Sequence, residues 1–127
     1  MSGGLRFRPE ATLFSSFATP FGPGTKVLIA AAQVQGIQRV GVYRMILVAN
    51  AASTFSFQDT AGNPLSATYS LTAAGSTVTL DTPINGDPWW QTGPNFATPN
   101  YPLGVGLQLV VGGTGPVAYD IWTAWGA

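Results

Sequence analysis

The sequence contains no cysteine and no histidine, and these two absences exclude much of protein chemistry. Without cysteine there are no disulfides, no thiolate nucleophile and no zinc–thiolate site, so the fold does not depend on the redox state of its compartment. Without histidine the chain also lacks the commonest general base. We therefore expect no enzymatic activity, no catalytic residue, no metal site and no cofactor.

The remaining route to catalysis is a pair of carboxylates, which suffices for glycoside hydrolysis. The four aspartates stand next to turn residues or in alternating strands, where Asp is ordinarily a turn former or a solvated outward residue. A calcium loop is also a poor match, because residues 59–63 lack its ligand spacing and its terminal Glu. These residues predict a hairpin turn instead. The aspartates are Asp59, Asp81, Asp87 and Asp120.

Charged residues are also scarce. The 127 residues include five Lys or Arg and five Asp or Glu, or 8% of the chain, and the net charge is zero. Soluble domains average about 25% charged residues. Binding to nucleic acid or to an anionic membrane needs a clustered excess of basic residues, so we expect neither.

Long apolar segments are missing as well. The longest apolar run, Met45 to Ala49, is far too short to span a bilayer, and the N-terminus has no apolar signal segment. We therefore expect synthesis in the cytoplasm without membrane insertion.

What the chain does have is apolar and aromatic side chains, at 46% and 12% of the residues. A surface with so few charges consists largely of Ser, Thr, Asn, Gln, Gly and apolar groups. Such a surface is better accommodated against partner molecules than in water, which favours assembly over catalysis.

Residues 1–24 predict an extended N-terminal arm, because Gly and Pro interrupt the segment repeatedly while four Phe residues recur along it. Disordered tails usually lack aromatic residues, so these rings must bury on their own domain or on another subunit, and we favour another subunit. The basic residues are concentrated in the first half of the chain and most acidic residues in the second. Either the fold intermixes them, or the arm docks on the acidic face of a neighbouring copy. The arm residues that we expect at this interface are Arg6, Phe7, Arg8, Phe14, Phe17 and Phe21.

Residues 25–127 predict one antiparallel β-sandwich domain, jelly-roll-like, with very little helix. Short β-prone runs recur at the spacing typical of sandwiches, and several alternate apolar with polar residues. Turn residues separate them, as at 59–64, at 73–75 and at 112–116. The predicted strands are Lys26–Ala32, Ile37–Ala49, Thr54–Asp59, Ala67–Thr72, Thr77–Asp81, Val105–Val111 and Val117–Trp125.

The segment between Thr82 and Gly104 is the long irregular part of the chain, and loops of this length usually bind something. Its aromatic residues could plug the open end of the sandwich, contact another protein, or stack on a sugar. Side chains alternate between the two faces of a strand, and Trp122 and Trp125 are three positions apart in the last strand, so one of them must face away from the core. We expect Trp122 at an interface. The loop residues assigned to the interface are Trp89, Trp90, Phe96 and Tyr101.

Five segments carry a resemblance to known proteins: GIQRVGVYRMILVANA at 36–51, TFSFQ at 54–58, YSLTAAGSTV at 69–78, WQT at 90–92 and LGVGLQL at 103–109. Together they resemble small virion proteins of tailed bacteriophages, of the capsid-decoration or cement type. That group combines a strand with a central basic residue, an L-x-A-x-G turn, an aromatic-x-T segment and a Leu-alternating strand. The resemblance runs from about residue 25 to the end. The Pro-rich insertion at 93–102 and the long arm depart from it.

The resemblance implies a non-enzymatic β-sandwich on the outer surface of a phage particle. We therefore expect a structural protein that decorates and cements the capsid as a homo-oligomer, with a trimer favoured, bound to the major capsid protein or another virion protein. The first alternative is a host- or carbohydrate-binding module on a fibre or tail tip, with the Trp89 to Tyr101 loop as its stacking platform. The second alternative is a component of a tail tube or connector.

Overall fold

The computed structural model describes residues 12–34, 36–81, 83 and 86–126. This part of the chain forms β-strands and one short 3₁₀ turn at Ala31–Gln33, and it includes no α-helix. No helix in it has the length and apolar character needed to cross a membrane. The strands are β1 (Thr12–Ser15), β2 (Gly24–Ile29), β3 (Arg39–Ala49), β4 (Ser53–Asp59), β5 (Tyr69–Leu71), β6 (Thr77–Leu80), β7 (Trp90–Gln91), β8 (Leu107–Gly113) and β9 (Val117–Gly126).

The strands form two antiparallel sheets packed face to face. Sheet A has the order β1-β9-β3-β6, and the short strand β7 pairs with the beginning of β3. Sheet B has the order β2-β8-β4-β5. The longest ladder joins β3 to β9, from Arg39 opposite Gly126 to Ala49 opposite Val117. The predicted all-β antiparallel sandwich is confirmed.

The core lies between the sheets because apolar residues alternate along the strands. In β4, Phe55 and Phe57 are buried while Thr54 and Ser56 face outward. A fully buried side chain of this size stabilises the fold by about 1.5 to 3 kcal/mol relative to an exposed one. The other fully buried large residues of this core come from both sheets: Ile29, Val40, Val42, Met45, Leu47, Leu107, Leu109 and Ile121. Tyr43 is also fully buried, but it packs with Ala124 in a separate cluster.

The seven predicted strands correspond to β2, β3, β4, β5, β6, β8 and β9, with ends displaced by a few residues. The predicted first strand ends earlier than expected, since residues 31–33 form the 3₁₀ turn. β1 and β7 were not predicted. Both are short, and neither shows the apolar alternation that marks the longer strands.

The described part of the predicted arm, residues 12–24, packs on its own domain. Thr12 to Ser15 pair with β9 at the edge of sheet A, so the sandwich includes residues that the sequence assigned to the arm. Phe14 and Phe21 pack against the core, whereas Phe17 remains 46% exposed. This corrects our expectation that Phe14 and Phe21 bury on another subunit: their own sandwich supplies the apolar surface. Arg6, Phe7 and Arg8 lie outside the described residues.

Candidate functional site

The tandem tryptophans lie beside the beginning of β3, because the short strand β7 is hydrogen-bonded to it. The Trp89 amide donates to the Val42 carbonyl at 2.8 Å, and the Thr92 amide donates to the Val40 carbonyl at 2.8 Å. The buried Thr92 hydroxyl also accepts from the Val40 amide. Gly41 permits this arrangement, since a Cβ at that position would meet Pro88 at 2.9 Å.

The two tryptophans have different surroundings. The Trp90 ring lies 5.2 Å from the ring of Phe57 and 6.1 Å from that of Tyr69, centroid to centroid, and packs against the core. Trp89 is 45% exposed, and its indole N–H donates to the Asp81 carbonyl at 2.8 Å. Trp90 therefore plugs the end of the sandwich, while Trp89 presents a fixed ring to solvent.

The irregular segment after β7 is held at both ends by hydrogen bonds. The Arg39 guanidinium donates to the carbonyls of Thr92 and Pro94, at 3.2 and 2.8 Å. At the far end, the Tyr101 hydroxyl donates to the Pro64 carbonyl at 2.8 Å, in the connection between β4 and β5. Between these points, the Asn95 side-chain oxygen accepts from two backbone amides in a tight turn. The segment is thus anchored to both sheets.

A cleft of about 390 Å³ lies between this segment and the β4–β5 connection. Its volume falls within the range of roughly 300 to 1,000 Å³ typical of small-molecule sites. Among the described residues that line it, none is charged. The side chains that give the cleft its chemical character are aromatic, amide and hydroxyl groups: Trp89, Trp90, Gln91, Asn95, Thr98 and Tyr101.

An apolar slot of about 220 Å³ opens on the other side of the tryptophans, between the edge strands β5 and β6. Tyr69, stacked on Phe55 with centroids 5.2 Å apart, forms one wall. Val78 and Leu80 of β6 form the opposite wall, and Trp89 and Trp90 close the end. Asp81 follows Leu80 directly, and its exposed carboxylate lies 4.0 Å from the Arg44 side chain, toward the outer face of sheet A.

The outer face of sheet A carries a row of apolar side chains. Leu13 lies opposite Trp122 in the β1–β9 ladder, and Leu13 is 47% exposed. Ile46 and Val48 point to the same face from β3 and are half-buried. Trp122 turns away from the core, as its parity predicts, and the Arg44 guanidinium carbon lies 4.7 Å from its ring centroid.

The predicted site residues therefore fall into separate places. Trp89, Trp90 and Tyr101 line one cleft, whereas Phe96 is fully exposed at the tip of the loop and outside the cleft lining. Trp122 lies on the outer face of sheet A. Sequence reasoning did not identify the slot residues, because Tyr69, Val78 and Leu80 follow the pattern of ordinary core positions. It also did not identify Asn95 or Thr98, whose role depends on how the loop folds back.

The described residues include no group of three or more Asp or Glu placed to hold a metal ion. Asp59 is fully buried, and its carboxylate accepts hydrogen bonds from the amides of Ala61 and Asn63 and from the Asn63 side chain, all at 2.9 Å. This is the hairpin turn that the sequence predicted.

A further cavity, of about 290 Å³, lies beside the connection from β1 to β2 and is lined by Lys26 and Tyr119 among others. Burial raises the pKa of the Tyr119 phenol above its usual 10.0, which keeps it protonated at neutral pH. The phenol therefore supplies no base to this cavity.

The segments that resemble phage virion proteins form parts of β3 to β8. They include Arg44, the central basic residue of β3, which lies over Trp122. They also include the L-x-A-x-G turn, which leads from β5 into β6. In comparisons with known proteins, the chain matches no protein-family model, no curated protein and no solved structure.

Proposed function

We propose that this chain is a non-enzymatic structural protein of a phage particle, which decorates and stabilises the outer capsid surface as a homo-oligomer. The observation that carries the proposal is the apolar outer face of sheet A. Antiparallel sheets that face water on one side usually place polar residues there. Here β1, β3 and β9 present apolar side chains, beside the charged Arg44 and Asp120 and the polar Ser15, Thr77 and Thr79 of the edge strands; the apolar residues are Leu13, Ile46, Val48 and Trp122.

The two sheets differ in a way that supports burial of sheet A. On the outer face of sheet B, the central strand β4 places Thr54, Ser56 and Gln58, and Gln108 of β8 donates to Gln58 at 3.0 Å. Val27 and Val110 share that face, so it is mixed, with polar side chains on its central strand β4. We infer that sheet A docks on another subunit and that sheet B faces solvent.

The strand order also supports a role of this kind. Strands β1 to β4 alternate between the two sheets one at a time, and the last two strands insert between them, β9 between β1 and β3 and β8 between β2 and β4. We propose that the sandwich is a jelly roll, an architecture used by viral capsid domains and by lectins. One architecture serves many functions, so the strand order supports the proposed function only together with the surface chemistry described above.

The slot between β5 and β6 supplies a receptor for the N-terminal arm of a neighbouring copy. Phe7 has the apolar character that the slot requires, and its neighbours Arg6 and Arg8 complement the exposed Asp81, which follows the slot residue Leu80 and otherwise pairs only weakly with Arg44. Burying one Phe contributes on the order of 1.5 to 3 kcal/mol, and a closed oligomer repeats the contact at every subunit. β1 and β6 lie at opposite edges of sheet A, so a head-to-tail ring would bring one copy's arm to the next copy's slot.

The test compares the full chain with a chain that lacks residues 1–11, which keeps β1 intact. We expect light scattering to give a closed oligomer for the full chain and a smaller species, with unchanged circular dichroism, for the truncated one. Asp81→Lys should weaken the oligomer, and Arg6→Glu with Arg8→Glu in the same chain should restore it in part. A monomer from the full chain at its highest soluble concentration would contradict self-assembly.

A host- or carbohydrate-binding role on a fibre or tail tip is the second candidate, and the exposed Trp89 ring beside an uncharged cleft favours it. The two candidates differ in the surface they require. Assembly depends on sheet A and the slot, whereas recognition depends on the cleft.

A further inference from the structure

The cleft beside Trp89 has the features of a preformed binding site. Its walls belong to a segment that is hydrogen-bonded to both sheets, through Arg39 at one end and Tyr101 at the other. A site held in this way needs little ordering when a ligand binds, which favours affinity.

The aromatic residues of the cleft can contact a ligand through the faces of their rings, because their N–H and O–H groups are already hydrogen-bonded within the protein. The Trp89 indole N–H already donates to the Asp81 carbonyl, and the Tyr101 hydroxyl already donates to the Pro64 carbonyl. The carbonyls of a proline-rich peptide bound in an aromatic groove accept hydrogen bonds from indole N–H and phenol O–H groups. Both groups already have acceptors here, so the cleft is poorly suited to such a peptide. The faces that remain suit the apolar C–H face of a sugar ring.

The polar groups of the cleft suit hydroxyls. The Thr98 hydroxyl oxygen is shielded from solvent and has no hydrogen-bond partner among the residues that the structure describes. A buried hydroxyl without a partner is destabilising, and because Thr98 lines the cleft, a χ1 rotation that turns the hydroxyl toward a ligand hydroxyl would remove this cost. The side-chain amides of Gln91 and Asn95 border the same cleft. Since the described lining contains no charged side chain, the ligand that fits is uncharged.

We propose that this cleft binds a short, uncharged oligosaccharide, which stacks on Trp89 and hydrogen-bonds to Thr98. The proposal does not rest on the oligomeric state, because no residue named above on the outer face of sheet A is among the described residues that line the cleft, although Trp89 and Trp90 also close the slot. A particle-decorating protein with this site could attach its particle to neutral glycans at a host surface.

The experiment uses the full chain on an array of neutral oligosaccharides of gluco, galacto, manno and N-acetylated types, with sialylated and sulfated members as counter-probes. Calorimetry then measures affinity for the best neutral member. Ala97→Glu places a charge in the cleft wall and should weaken binding at least tenfold. Asn100→Glu adds the same charge in the same exposed loop but outside the lining, and should leave binding unchanged.

Trp89→Ala should also weaken binding at least tenfold, whereas Leu80→Ala, which alters only the slot, should not. Circular dichroism and melting temperature serve as the folding controls for all four variants. Three outcomes would overturn the proposal: no neutral member binds, binding is equal in Ala97→Glu and the unchanged chain, or a proline-rich peptide binds at this cleft while no glycan competes with it. An unchanged oligomer in Ala97→Glu separates this result from the test of assembly.

Discussion

Asp59 shows how one residue can fix a connection between strands. Its two carboxylate oxygens accept three hydrogen bonds from the turn that follows β4, and the side chain is completely buried. The turn could be predicted from the sequence, because Asp, Gly, Asn and Pro occur together at 59–64. Its burial could not, since that depends on Leu107 pairing opposite Asp59 in sheet B.

Replacing Asp59 with Ala should destabilise the fold by about 2 to 3 kcal/mol, because the turn loses the side chain that accepts three of its hydrogen bonds. Asp59→Asn should be milder, since the amide oxygen can still accept. Asp81→Ala is the matched control, because the Asp81 side chain is 84% exposed and its ion pair with Arg44, at 4.0 Å, is weak. Guanidinium chloride unfolding gives the three free energies. Equal losses at positions 59 and 81 would contradict the role of Asp59.

The tandem tryptophans mark the limit of sequence reasoning at the residue scale. Their position in a Pro-rich segment indicated a plug, a protein contact or a sugar contact for the pair as a whole. The structure divides these roles, because Trp90 packs on Phe57 while Trp89 stays at the surface. Nothing in two identical adjacent residues indicates which one faces inward. That depends on the register of β7 against β3.

At the scale of elements, alternation made the strands recognisable where one face meets the core. β4, β8 and most of β9 alternate buried and outward positions, and their predicted bounds lie within two residues of those observed. β1 has four residues, of which only Phe14 packs inward. A single inward residue gives no periodicity, so the segment could be predicted as extended but not as part of sheet A.

Strand β1 closes one edge of sheet A, and its removal should be costly. A chain lacking residues 1–15 loses the β1–β9 ladder and the packing of Phe14, so we expect a loss of about 2 kcal/mol or more. Amides of β9 should also exchange faster with deuterium. The control is the chain lacking residues 1–11, which keeps the strand. Equal stability and exchange in the two truncated chains would show that β1 adds nothing to the sandwich.

At the scale of the whole molecule, the scarcity of charge has different consequences on the two faces. The central strand β4 of sheet B turns hydroxyl and amide side chains outward, whereas the central strand β3 of sheet A turns Ile46 and Val48 outward. The sequence predicted a surface suited to partners from its composition alone. It could not say which face, because Ile46 and Ser56 both belong to alternating strands. Only the packing of the two sheets distinguishes their outward residues.

The last prediction compares these two faces by a matched pair of substitutions. Ile46→Lys and Ser56→Lys each place a charge at a half-buried outward position of a central strand, in β3 and β4 respectively. If sheet A docks on another subunit, Ile46→Lys buries a charge in that interface and should shift the light-scattering mass toward the monomer. Ser56→Lys should leave the mass unchanged.

Both variants should keep the melting temperature within a few degrees of the unchanged chain, because each lysine can extend into solvent in the isolated domain. Dissociation by Ser56→Lys alone would assign the interface to sheet B and reverse our orientation of the sandwich. If neither lysine alters the mass, assembly depends on the arm and the slot, since a charge buried without a partner at either face would oppose association.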